Sequence, residues 1–107
     1  MVKIIWHDQA LQLLHEYIEY ALAEFGKSTA LRWKQEISVF EKRVLLYPES
    51  YTPEPLLSGA PAHYRFRHLM NRRFKLIHYY DEESNTIHVV DIWDTRMKPE
   101  TLKNRIG

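Results

Sequence analysis

The sequence predicts an α+β domain of order β-α-α-β-β-β, in which an N-terminal helix hairpin packs against an antiparallel sheet. Three observations predict it. Two stretches between residues 8 and 47 carry apolar residues at helical spacing and are separated at Gly26. Three stretches after residue 62 are rich in β-branched and aromatic residues. A short alternating run opens the chain. With 107 residues, 45% of them hydrophobic, one core is the natural size, and a single domain spanning 1–107 is expected.

Each element has its own signal. Val2 to Trp6 alternates and reads as a strand. Asp8 is placed to cap the first helix, whose stripe is Leu11, Leu14, Ile18, Ala21 and Phe25. Gly26 supplies the stop, and Ser28 or Thr29 is the expected cap of the second helix. That helix carries Trp33, Ile37, Phe40, Val44 and Tyr47 before Pro48 ends it. So short a link makes the pair antiparallel. Residues 48–62 hold four of the five prolines and read as a loop anchored by Leu56 and Leu57. His63–Leu69, Arg73–Tyr80 and Thr86–Trp93 are the remaining strands, joined at Asn71 and at Asp81–Asn85. Trp6, Trp33 and Trp93 are expected in the core, and Pro99 can open a last short helical turn.

Composition excludes several chemistries. There is no cysteine, so disulfides, thiolate metal sites and thiol catalysis are absent, which fits a cytoplasmic protein. No stretch approaches the ~18 apolar residues of a membrane span. The six histidines lack metal-ligand spacing, and the three glycines form no phosphate loop. Neither a metal nor a cofactor is expected.

Net charge is only +1, from 15 basic and 14 acidic side chains, but the distribution is uneven. Residues 63–80 hold Arg65, Arg67, Arg72, Arg73 and Lys75 with no acid. Strand alternation puts Arg65 and Arg67 on one face and Phe66 on the other. It likewise separates Arg73, Lys75 and Ile77 from Phe74 and Leu76. If the helices take the Phe66/Phe74/Leu76 side, a three-residue loop, Met70-Asn71-Arg72, sets Arg67 beside Lys75. Arg65, Arg67, Arg73 and Lys75 then form one cationic surface on the side away from the helices. Like charges side by side cost ~0.2–1 kcal/mol per pair, so an anionic partner is the economical reason for them. The bland reading is a solvated face that discourages edge pairing. Tyr79, on the Lys75 side, is placed either to stack on a base or to pack under the tail. Asp91, inside an apolar strand, needs a partner, with Arg67, Lys75 and Arg96 as candidates. Asp94 either orients Arg96 or caps the tail.

Tyr64-Arg65-Phe66-Arg67, Phe74-Lys75-Leu76-Ile77-His78-Tyr79 and Ile87-His88-Val89-Val90-Asp91-Ile92-Trp93-Asp94-Thr95-Arg96, in this order and behind a helix hairpin, resemble the RelE/ParE toxin superfamily. Family members usually read aromatic, Arg, two aliphatics and Tyr in the middle stretch, with an Arg just past the last strand. The resemblance implies a type II toxin–antitoxin module, growth inhibition, plasmid stabilisation and a cognate antitoxin that wraps and neutralises the toxin. It also implies one of two activities: RelE-like members cut messenger RNA in the ribosome, and ParE-like members poison DNA gyrase. For the ribonuclease, the resemblance places Arg65, Arg67, Lys75 and Arg96 as the catalytic cations. Proton transfer needs a further group, because arginine stays protonated. RelE-like enzymes often supply a Tyr or His near the C-terminus, where this chain has Leu102. The long helices and the Pro-rich loop lean toward ParE. For a gyrase-directed toxin the expected contact residues are Arg65, Arg67, Arg73, Lys75, Tyr79 and Arg96. A non-toxic nucleic-acid-binding module is the third reading.

Overall fold

A computed structural model describes residues 1–106. Its elements are β1 (Lys3–Trp6), α1 (Asp8–Phe25), α2 (Lys27–Leu46), β2 (Thr52–Pro53), a 3-10 turn (Pro55–Leu57), β3 (Arg65–Leu69), β4 (Phe74–Asp81), β5 (Thr86–Asp94) and α3 (Pro99–Ile106). The α+β class and the order of the main elements are those read from the sequence. β2 and the 3-10 turn add detail inside the Pro-rich loop.

Gly26 alone separates the two long helices. Its φ of 92° and ψ of −177° suit glycine, and its N–H donates to the carbonyls of Ala21 and Leu22. Because Gly26 both ends α1 and precedes α2, neither Ser28 nor Thr29 acts as a cap; both lie inside α2. Asp8 is likewise the first residue of α1, behind His7, and makes no capping bond. The buried face of α1 is Ala10, Leu14 and Ala21 with Tyr17 and Ile18 beside them, and Leu11 and Phe25 are exposed. In α2, Trp33, Ile37, Phe40 and Val44 are buried as the spacing predicts, while Tyr47 lies just past the helix and is exposed.

The sheet runs β1-β5-β4-β3-β2. β3, β4 and β5 form the antiparallel centre. β1 joins it parallel to β5, with Lys3 opposite Thr86 and Trp6 opposite Val89, so the whole sheet is mixed. One face takes the helix hairpin and buries Leu69, Leu76, Ile87, Val89 and Ile92 against Leu14, Trp33 and Phe40. Full burial of a side chain such as Leu76 contributes ~1.5–3 kcal/mol. The 3-10 turn and α3 cover part of the other face, where Leu57 and Leu102 bury Ile77 and Trp93 beside Tyr64 and Phe66.

This second covered face corrects the expected register. Leu69 lies opposite Phe74, His68 opposite Lys75 and Arg67 opposite Leu76. The connecting loop is thus four residues, Met70–Arg73, one more than expected. A one-residue slip moves every side chain of a strand to the other face. Arg65 and Arg67 therefore face the helices with Leu69, while Phe66 goes to the α3 side with Ile77. Two buried faces remove the premise that the only apolar face had to be the Phe66 side.

β5 carries a bulge: Ile77 pairs with Asp91, but His78 pairs with Val89. Asp91 is fully buried and pairs with Arg105 from α3, not with Arg67, Lys75 or Arg96. Burial pushes its pKa up, and the Arg105 guanidinium opposes that shift.

Candidate functional site

The cationic surface expected from the sequence is not assembled. Arg65 donates to the carbonyl of Tyr51 at 2.7 Å, which holds the segment before β2. Arg67 reaches Glu36 of α2 at 3.5 Å. Lys75 leaves through the opposite face and bonds both oxygens of buried Glu54, at 3.0 and 2.9 Å, with the Phe66 ring 4.3 Å away. Arg96 clasps Asp94, which also accepts from the Arg96 backbone N–H. That clasp is the orienting contact expected of Asp94, and it holds the Asp94 pKa below its ordinary value. Tyr79 lies on the Lys75 side as alternation requires, but its ring stacks on His88 at 4.8 Å and meets Tyr64 edge-on. Of the six residues, only Arg73 lines the groove described next.

The groove lies between the C-terminal half of α1, the start of α2 and the β3–β4 turn, with a volume of about 610 Å³. Aromatic rings dominate it. Tyr17 stacks on Trp33 at 5.6 Å, and both lean on Phe74 at 4.6 and 5.0 Å. Tyr20 and Phe25, 61% and 65% exposed, sit edge to face at the rim. Arg32, Arg72 and Arg73 also line it, and no carboxylate does. A half-apolar concavity with a few convergent charged groups is the usual form of a binding site. Burial, aided by Asp94, raises the pKa of Tyr17, so its hydroxyl stays protonated at neutral pH.

Sequence reasoning missed most of this groove. Tyr17 and Tyr20 fall beside the α1 stripe, and Phe25 had been assigned to the core. The available signal was Asn71-Arg72-Arg73, charge concentrated in a tight turn where it cannot pack. Among the described residues no group of three or more His, Cys, Asp or Glu is placed to hold a metal ion. Among the described residues no helix is long and apolar enough to cross a membrane.

An antiparallel helix pair thus lies on one face of a five-stranded mixed sheet. The family model "ParE toxin of type II toxin-antitoxin system, parDE" matches residues 4–99, so the chain belongs to the ParE toxin family. Among solved structures it is similar to a chain of "Chromosomal ParDE TA system from P. aeruginosa", with a TM-score of 0.66 and 19% identity. That match covers 88% of this chain and 96% of the other. No curated protein matches the chain.

Proposed function

We propose that this ParE-family chain is a cytoplasmic toxin that acts by binding a protein, DNA gyrase, and is neutralised by a cognate antitoxin. The observation that carries the proposal is the fate of the four cations a ribonuclease would need. Arg65, Arg67, Lys75 and Arg96 lie in different places, each engaged by a carbonyl or carboxylate of its own. Leu102, where related ribonucleases carry a proton-transfer group, is fully buried in the packing of α3. Phosphate charge would find no converging donors among these four, and Leu102 offers no acid to the leaving oxygen. The aromatic groove is instead suited to a protein surface. Rings give large contact area at low entropic cost, and arginines add directional bonds to carboxylates.

Purified protein added to a plasmid supercoiling reaction and to a cell-free translation reaction tests this reading. Blocked supercoiling with intact message is expected, with relief on adding the antitoxin. Message cleaved on ribosomes, with gyrase untouched, would overturn it.

A further inference from the structure

Among the described residues, four that are not glycine have positive φ, and three of them are consecutive: Met70 at 52°, Asn71 at 57° and Arg72 at 65°. In this region the Cβ crowds the following carbonyl oxygen, so L-residues avoid it. Glycine would adopt it freely and is not used. The surroundings hold the turn in place from two sides. On the α2 side, Glu36 Oε1 accepts from the Met70 backbone N–H at 3.0 Å. Glu36 Oε2 accepts from Arg32 at 2.9 Å, and Arg32 in turn donates to Asn71 Oδ1 at 2.7 Å. On the far side, the Thr95 hydroxyl donates to the carbonyls of Arg72 and Arg73, and the Thr95 N–H also donates to Arg73. Strain retained by so many contacts belongs where the shape of the backbone matters.

What this shape presents is a pair of guanidinium groups. Arg72 and Arg73 are exposed and line the aromatic groove, and among the described residues neither is within salt-bridge distance of an acid, although Arg73 is near enough to Asp94 to help lower its pKa. We propose that the β3–β4 turn is a preorganised reader of carboxylates on the toxin's target protein. Arg72 and Arg73 engage an acidic surface segment whose apolar anchor enters the groove, and Glu36, Arg32 and Thr95 are the positioning residues. This rests on the reading of a protein-directed toxin. The charge of the lining favours an acidic partner. Rigidity favours a folded one: a flexible antitoxin segment adapts to whatever it meets, whereas a folded surface requires its counterpart to be in place already. A nucleic acid fits less well, because Tyr17, Trp33 and Phe74 pack on one another and the two exposed rings, Tyr20 and Phe25, engage each other edge to face at the rim.

Three variants test it: the double Arg72→Ala/Arg73→Ala, Glu36→Gln and Asn71→Gly. Growth arrest on induction, potency in supercoiling inhibition, melting temperature and affinity for the cognate antitoxin are measured for each. The double variant should keep its melting temperature and lose potency about tenfold or more, the scale of two charge-assisted contacts. Glu36→Gln should lose several-fold. Asn71→Gly trades backbone strain for the lost bond from Arg32, so its melting temperature should nearly hold while potency falls; a turn that was merely structural would nearly hold its melting temperature and keep potency. Antitoxin affinity should change less than about threefold. Full potency of the double variant overturns the proposal. So does a parallel loss of antitoxin affinity, which would assign the turn to neutralisation. Binding of a fluorescent 20-mer DNA duplex that is lost in the double variant would assign it to nucleic acid and also overturn it. If the wild-type chain arrests growth without inhibiting supercoiling, the gyrase reading fails alone, and growth arrest by the variants decides the turn. A wild-type chain that does not arrest growth overturns both.

Discussion

His78 is buried beneath Phe40 and Tyr51, with its Nδ1 facing the Leu76 carbonyl and its Nε2 unpartnered. Burial lowers its pKa from 6.5 to about 4. The folded state therefore takes up its proton later than the unfolded chain as pH falls. The stability it supports is complete above about pH 6.5 and is lost as the pH drops toward 4. At ~1.4 kcal/mol per unit, the loss is about 3 kcal/mol. Urea melts at intervals between pH 7 and 4.5 should show this decline, and His78→Leu should flatten it. Glu54 offers a second residue-scale test. Its carboxylate is fully buried and answers Lys75, whose side chain is only 14% exposed. Glu54→Ala strands that ammonium and should cost about 3–5 kcal/mol, read as a shifted denaturation midpoint. Lys75 thus belongs to the stability of the loop, which its position in the sequence did not disclose. A lysine on a strand looks the same from either face, and the acid that meets it lies 21 residues away.

At the scale of elements, the helices were legible because their packing is periodic, and Trp33, Ile37, Phe40 and Val44 identify the buried face of α2 without ambiguity. The hairpin of β3 and β4 was not, because its register depends on a loop whose length is decided by contacts from α2 and from Thr95. Arg67 shows the consequence. A four-residue turn sends it toward Glu36, where a three-residue turn would have sent it beside Lys75. The junction of α1 and α2 makes a sharper prediction. Gly26 has open space where a Cβ would stand, so substitution there meets no clash and acts through backbone strain alone. Gly26→Ala should lower stability by about 1–3 kcal/mol, measurable by thermal melting, and leave the buried face of each helix unchanged.

For the molecule as a whole, the class of fold was readable from element order, whereas the burial of the second sheet face was not. α3 looked like a polar tail, yet Leu102 and Ile106 pack from it on the second covered face and Arg105 reaches buried Asp91 of β5. Leu102→Ala should destabilise by about 2–5 kcal/mol, the usual range for a buried leucine, with the midpoint of urea unfolding as the measurement. Arg67→Ala separates the two views of the basic hairpin. If Arg67 serves the packing of α2 on the hairpin, its loss should lower the melting temperature by a few degrees and leave supercoiling inhibition intact at permissive temperature. The groove went unseen for a related reason. Its walls come from residues 17–33, 70–74 and 95, which no local pattern connects.

β1 lies parallel to β5, with Lys3 to Trp6 against Thr86 to Val89. The first strand to leave the ribosome must therefore wait for the last one. Until residues 86–89 emerge, Ile4 and Trp6 have no neighbouring strand to complete their shelter, and this closure spans nearly the whole chain, the kind of non-local pairing that slows folding. A chain lacking residues 86–89 would leave β1 without its partner. The order of synthesis thus separates the making of β1 from the closing of the sheet around it.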